Sequence, residues 1–200
     1  LVGSIGFYGS TLNTRQYATK GYLEKLIAQV FTGRERFEPG NPQEGYSPSP
    51  QERQSWLQIS YMKEAYHTMG PKFTLGWMAE ALYSSKNFSE NYTATMMQAG
   101  EFAPTPHSKL MYNEAFRANQ YVAAGIKPIY VLNDMFQFRT EFYGFTPIFP
   151  IKKNALNKAY YGKAFSRFEY MGEVSVICHL PFGAISAYVN HYSSPRREWN

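Results

Sequence analysis

Residues 71–83 read Pro-Lys-Phe-Thr-Leu-Gly-Trp-Met-Ala-Glu-Ala-Leu-Tyr, and this stretch decides the fold class. Successive side chains of a β-strand point to opposite faces, so a strand sorts its residues with a period of two. One face of this stretch would carry Phe73, Leu75, Trp77, Ala79, Ala81 and Tyr83, and the other Thr74, Gly76, Met78 and Glu80. The stretch therefore predicts a strand with one apolar, aromatic face.

A second stretch, 135–146, repeats this division with stronger charges. Phe136, Phe138, Thr140 and Phe142 share one face, and Gln137, Arg139 and Glu141 share the other. A membrane β-barrel turns its apolar face to lipid and packs polar side chains into its lumen, where a charge avoids a cost of about 2–4 kcal/mol near the midplane. In a soluble β-sandwich the charged face would be turned to water. Because the opposite face is so aromatic, the alternation favours the barrel.

Turn residues divide most of the chain into further candidate strands. Short turns are predicted at Asn133-Asp134, Met171-Gly172 and Leu180-Pro181-Phe182-Gly183, and long connections at 34–54 and 100–131. Outer-membrane barrels alternate short turns with long loops in this way. The strands are predicted near 2–9, 17–32, 55–67, 72–85, 91–99, 135–147, 159–170, 173–180 and 183–192, with another opening at about 197.

One segment fits two structures. In 22–32, Leu23, Ile27, Val30 and Phe31 have helical spacing, whereas a strand would place Leu26, Ala28 and Val30 on one face and Lys25 and Gln29 on the other. We interpret the segment as a strand because its neighbours are strands.

Composition and motifs exclude several function classes. The net charge of +5 comes from scattered Lys and Arg without a basic helix or stripe, which argues against nucleic-acid binding. The single cysteine, Cys178, excludes an internal disulfide framework and alternates with apolar residues. No catalytic motif, metal-ligand spacing or cofactor-binding loop is present, so we expect no catalytic residue, metal or cofactor in this chain.

The charged residues at alternate positions form candidate lumen pairs. Arg139 and Glu141 lie on one face of their strand, and Lys163, Arg167 and Glu169 would share the inward face of another. We predict that these residues belong to a structural charge network inside the barrel. The chain begins at Leu1 and stops at Asn200 in what the pattern predicts is an opening strand, so we interpret 1–200 as one partial barrel domain.

Two runs carry a resemblance to a known family. Phe102-Ala-Pro-Thr-Pro-His-Ser-Lys, followed by the sequence to Pro147, and His179-Leu-Pro-Phe-Gly-Ala-Ile-Ser resemble the C-terminal barrel of Bacteroidetes patatin-like phospholipases. That family joins a periplasmic patatin hydrolase domain to a barrel similar to BamA and TamA. The resemblance implies a bacterial outer-membrane location, contact with outer-membrane lipid, and a hydrolase domain upstream in the same chain.

The resemblance also suggests a role for Arg117. The barrel superfamily has an Arg-Gly-Tyr/Phe-type motif on a loop that folds into the lumen, and its arginine pairs with an acidic residue on a later strand. Phe116-Arg117-Ala118-Asn119-Gln120-Tyr121 looks like a degenerate form, although Ala-Asn-Gln replaces the expected Gly and aromatic residue. The resemblance implies Glu169 as the partner, with Glu141 as the second choice.

The sequence therefore predicts an all-β fold, an antiparallel transmembrane β-barrel, and the resemblance implies that this chain supplies about ten of its sixteen strands. Its expected function is to anchor an upstream patatin-like lipid hydrolase in the outer membrane and to form a passage for it. Two alternatives stay open: an assembly or translocation barrel of the BamA or TamA type without an enzyme, and a soluble lipid-binding β-barrel. Dimerisation of the barrel also stays open.

Overall fold

The computed structural model describes residues 1–35 and 52–193, which form long strands, a few short strands and one α-helix. Two single turns of 3-10 helix, Ser108–Leu110 and Glu114–Phe116, lie in the connection that follows the helix. The elements are β1 (Val2–Ser10), β2 (Gly21–Glu35), β3 (Glu52–Thr68), β4 (Phe73–Ser84), α1 (Tyr92–Gln98), β5 (Gly100–Glu101), β6 (Arg117–Ala118), β7 (Gln120–Val131), β8 (Phe136–Pro147), β9 (Ile151–Lys153), β10 (Ala159–Tyr161), β11 (Glu169–Leu180) and β12 (Gly183–Tyr192).

The long strands form one antiparallel meander. Its eight strands pair in the order β1-β2-β3-β4-β7-β8-β11-β12, and β5 with β6 and β9 with β10 form two small hairpins. The fold is thus all-β with a large antiparallel meander sheet, as the alternation predicted. Within the described residues, β1 and β12 are the two edges of the sheet and no pairing joins them, so closure into a barrel is not detected.

The ambiguous segment 22–32 is a strand. It lies within β2, where Leu26 and Val30 share a face and pair with Tyr61 and Leu57 of β3. The expected long loop at 34–54 is shorter than predicted, because β2 continues to Glu35 and β3 begins at Glu52. The remainder of that predicted loop lies outside the described residues.

Four element predictions are wrong. Residues 91–99 contain α1 rather than a strand, and 100–131 contain the central strand β7. Residues 159–170 are not one strand, because they hold the short strand β10, a segment without regular structure and the first two residues of β11. Met171-Gly172 is not a turn but lies inside β11, where pairing with β8 on one side and β12 on the other continues through both residues.

The two ends of the meander differ. At one end, which we call the short-turn end, the connections are 69–72, 132–135 and 181–182, together with the somewhat longer 11–20. At the opposite end, the long-loop end, 85–119 and 148–168 connect the strands. The predicted alternation holds in part: 132–135 and 181–182 are short turns as predicted, whereas the long connection 148–168 lies where the pattern predicted short ones.

The two faces of the sheet also differ. Cross-strand partners share a face, so the register assigns every strand residue to one of two surfaces. On the covered face, defined by Met78, Lys127, Arg139, Tyr143 and Glu173, side chains are buried beneath the connections 11–20 and 85–119. On the open face, large apolar side chains are exposed, among them Phe7, Leu26, Val30, Ile59, Tyr83, Val122, Ile126, Phe138, Phe142, Val174, Ile185 and Val189.

The apolar core lies at the long-loop end of the covered face. Phe102 and Phe116, both 1 % exposed, pack from the connection 85–119 onto Tyr121, Phe145 and Tyr192 of the sheet. Burying aromatic rings of this size supplies much of the packing energy of a small core. In the described part of the chain, no helix is long and apolar enough to cross a bilayer.

Candidate functional site

Lys127 stands at the centre of a buried polar cluster on the covered face. Its Nζ lies 2.9 Å from Oε2 of Glu64 and 5.8 Å from the ring centroids of both Tyr66 and Tyr143. The lysine side chain is 5 % exposed and the glutamate side chain 16 %. The ammonium is therefore held between a carboxylate and two aromatic rings, an arrangement that compensates part of its lost hydration.

Two glycines make this arrangement possible. Gly76 is the cross-strand partner of Tyr66, and Gly125 is the partner of Tyr143. A Cβ atom at Gly76 would lie 2.7 Å from the Tyr66 ring, and one at Gly125 would lie 2.2 Å from Cδ1 of Tyr143. Each tyrosine ring therefore lies across a glycine, and the two rings flank Lys127.

Arg139 and Glu141 form the second half of the cluster. Nε of Arg139 donates to Oε1 of Glu141 at 3.0 Å, and the Tyr143 hydroxyl donates to the other oxygen of the same carboxylate. Arg139 also donates to the carbonyl of Ala18 at 2.9 Å and to the Tyr66 hydroxyl at 3.4 Å. Both carboxylate oxygens of Glu141 are thus occupied, and the arginine joins the two halves of the cluster.

The connection 11–20 is held against the covered face by these bonds. Besides Ala18, the carbonyl of Tyr17 accepts a hydrogen bond from Gln137 at 3.3 Å. The Tyr17 hydroxyl donates to Ser186 of β12 at 2.8 Å. A loop between the first two strands is therefore anchored on strands near the opposite edge of the sheet.

A cavity of about 1020 Å³ lies between the covered face and the two connections. Its walls mix apolar residues such as Met62 and Met78 with charged residues from the sheet and from both connections. The charged residues that line it are Arg15, Lys25, Glu64, Glu80, Lys109, Lys127, Arg139, Glu141 and Glu173.

The structure brings the predicted charged residues together as neighbouring pairs. Arg139 pairs with Glu141, and Arg167 pairs with Glu169 at 2.9 Å. Arg167 also donates to the carbonyl of Ala115, which ties it to the connection 85–119. Lys163 does not share their face, because it is exposed in the segment between β10 and β11.

The predicted partner of Arg117 is wrong. Arg117 lies 2.6 Å from Oε2 of Glu101, its cross-strand partner in the β5–β6 hairpin, whereas Glu169 is bound by Arg167. One guanidinium nitrogen of Arg117 also donates to the carbonyls of Met97 and Ala99 at the end of α1. The arginine therefore ties the helix to the hairpin within one connection and is not bound to a later strand.

Lys127, Glu64 and the two tyrosines were not predicted as site residues. Lys127 and Glu64 are 63 residues apart and lie on strands separated by β4, so no sequence spacing relates them. The available signal was Gly76, because an isolated glycine in a regular strand pattern often marks the close approach of another group. Gly125 gave no such signal, because the sequence predicts a long connection there.

The contacts of the cluster are ion pairs and hydrogen bonds that join strands of the sheet to each other and to the connection 11–20. Among the described residues, no group of three or more His, Cys, Asp or Glu side chains could hold a metal ion. No family model matches the chain, and neither the curated proteins nor the solved structures give a match.

Proposed function

We propose that this chain forms part of the wall of a bacterial outer-membrane β-barrel. The observation that carries the proposal is the distribution of side chains across the eight-stranded sheet: Phe138 and Phe142 are 45 % and 53 % exposed, whereas Arg139 and Glu141 are 2 % and 6 % exposed. Soluble monomeric proteins rarely expose contiguous apolar patches of such extent. Contact with lipid would remove the free-energy cost of exposing this apolar face to water.

The order of residues along the open face supports the same proposal. Aromatic side chains stand near the short-turn end, at Tyr22, Phe73, Tyr130 and Phe136, and near the long-loop end, at Tyr83 and Tyr170. Small and aliphatic residues such as Ala79, Ala124, Val174 and Val176 lie between them, together with the aromatic residues Trp77 and Phe142. Outer-membrane barrels have an apolar band with an aromatic girdle at each interface.

Strand length fits a bilayer as well. Strands β4, β7, β8 and β11 each have 12 residues. A tilted strand needs about 9–11 residues to cross the hydrocarbon region. These strands are therefore long enough to cross it and to reach both interfaces.

Among the described residues, one charged pair lies on the open face. Lys63 and Glu24 are cross-strand partners 3.4 Å apart, and Tyr61 donates to the same glutamate at 2.7 Å. Glu24 lies three positions from the start of β2 at the short-turn end. In the proposed orientation this pair lies near the interface, where charged side chains cost about 0–1 kcal/mol.

The alternative of a soluble lipid-binding barrel requires the opposite distribution. Such a protein binds lipid in an apolar interior, but the covered face here carries Glu64, Lys127, Arg139, Glu141 and Glu173.

The anchoring of an upstream patatin-like hydrolase follows from the sequence resemblance. A Gly-x-Ser-x-Gly and an Asp-Gly pair upstream in the full-length gene product would favour it, and their absence would favour a barrel without an enzyme.

Single-cysteine labelling tests the orientation. In the full-length protein with Cys178→Ala, Phe138→Cys on the open face should react with a lipid-confined reagent in outer-membrane vesicles and stay protected from a water-soluble maleimide. Met62→Cys, which lines the cavity, is the matched control and should show the reverse pattern. Ready labelling of position 138 by the water-soluble reagent would exclude the membrane proposal.

A further inference from the structure

Glu173 is a buried carboxylate without a cation. It lies on the covered face of β11, is 7 % exposed, and lines the cavity. Its Oε2 is enclosed and has no hydrogen-bond partner among the described residues. Burying a carboxylate oxygen in this way is costly unless a donor meets it.

The side-chain amide of the neighbouring Asn190 is also buried without hydrogen-bond partners. Asn190 is the cross-strand partner of Glu173 on β12 and is 3 % exposed, and neither Oδ1 nor Nδ2 of its amide has a partner among the described residues. Side chains at directly opposed positions have Cβ atoms about 4.5–5.5 Å apart. A group that meets Glu173 from the cavity therefore lies next to the amide of Asn190, which does not itself line the cavity.

The two buried cations of the cluster are already bound to other residues. Arg139 donates hydrogen bonds to Glu141, Ala18 and Tyr66, and Lys127 donates to Glu64. On its β8 side, Glu173 is paired in register with Glu141, a second carboxylate. Like charges at opposed positions repel each other, so a cation beside Glu173 would reduce this repulsion.

We propose that Glu173 and Asn190 form a subsite for an organic cation, a primary ammonium or a guanidinium group, that enters through the cavity. Such a group brings the donors that Glu173 Oε2 and Asn190 Oδ1 lack, and its positive charge offsets the repulsion between Glu173 and Glu141. A divalent metal fits less well, because Ca²⁺ needs six or more oxygen ligands. The cavity of about 1020 Å³ has room for the rest of a small molecule.

This subsite does not depend on the membrane proposal, because it lies on the covered face whatever the open face contacts. The labelling experiment above and the binding experiment below can therefore fail independently of each other.

Calorimetric titration of the full-length protein in detergent micelles with cadaverine, a linear diamine, tests the subsite. Cadaverine should bind, whereas 1,5-pentanediol, its neutral counterpart, should not. Glu173→Gln should weaken cadaverine binding about tenfold or more, a difference of about 1.4 kcal/mol or more. Glu90→Gln, which removes an exposed carboxylate outside the cavity, is the matched control and should bind as the unmodified protein does.

A second variant separates lost binding from lost folding. Asn190→Asp adds a negative charge at the same place and should tighten cadaverine binding. The melting temperature of Glu173→Gln without ligand should be unchanged or higher, because the substitution removes the repulsion from Glu141. The proposal is overturned if the unmodified protein binds no cadaverine, if the diol binds equally, if Glu173→Gln binds as well as the unmodified protein, or if Asn190→Asp does not tighten binding.

Discussion

The ring of Tyr143 lies directly across Gly125, its cross-strand partner on β7. A Cβ at Gly125 would stand 2.2 Å from Cδ1 of Tyr143 and 2.8 Å from the backbone oxygen of Phe142. This close approach directs the Tyr143 hydroxyl to Glu141, which in turn binds Arg139. The absence of one side chain thus determines where a buried ion pair forms.

Gly125→Ala should therefore destabilise the protein by about 1–3 kcal/mol, the usual cost of overpacking. The added methyl group must displace a buried ring and cannot move the backbone of Phe142 cheaply. The free energy of unfolding, measured by urea titration of the full-length protein in micelles, checks this. Gly3→Ala is the control, because a Cβ there meets nothing within 4 Å, and it should have little effect.

Arg139 and Glu141 should behave as one unit. Arg139→Ala leaves a buried carboxylate uncompensated and should cost about 3–5 kcal/mol of unfolding free energy. Because Glu141→Ala breaks the same pair, the double variant should cost clearly less than the sum of the two single variants. Additive effects would contradict the pairing. Arg34→Ala, at an exposed strand end, should change stability by less than about 0.5 kcal/mol.

Arg117 should couple to Glu101 and not to Glu169. A double-mutant cycle with Arg117→Ala and Glu101→Ala should show an interaction energy of about 0.5–3 kcal/mol, because the two side chains form one ion pair. The cycle with Arg117→Ala and Glu169→Ala should be additive within about 0.5 kcal/mol. A larger interaction energy between Arg117 and Glu169 than between Arg117 and Glu101 would instead support Glu169, the partner that the resemblance implied.

Alkaline pH should reveal the burial of Tyr92, which lies in α1 outside the sheet. Burial, and then its hydrogen bond to Glu114, raise the pKa of Tyr92 above its ordinary value. The stabilisation from the protonated phenol is complete below about pH 10, where the unfolded chain also keeps the proton, and is lost as the pH rises and only the unfolded chain releases it. Unfolding free energies above pH 10 should therefore fall less steeply for Tyr92→Phe than for the unmodified protein. Equal slopes would show that Tyr92 titrates alike in both states.

Local sequence patterns predicted much of the sheet because they need no distant partner. Period-two alternation located β4 and β8 and assigned Phe138 and Arg139 to opposite faces, and the turn residues at Asn133-Asp134 and Pro181-Phe182 ended strands where the structure ends them. Helix α1 was missed although Asn91 caps it and Tyr92, Thr95 and Met96 have helical spacing. Strand β7 was missed because Gly125 and Pro128 interrupt its pattern.

By itself, the sequence determines the two-faced strands, because the alternation of side chains is a property of the backbone that each segment carries alone. Only the tertiary structure decides which residues meet. Lys127 reaches Glu64 because three strands align in one register and Gly76 leaves space between them. Arg117 binds Glu101 because the connection 85–119 folds back as a hairpin. Such contacts depend on register and loop path, which no short-range pattern encodes.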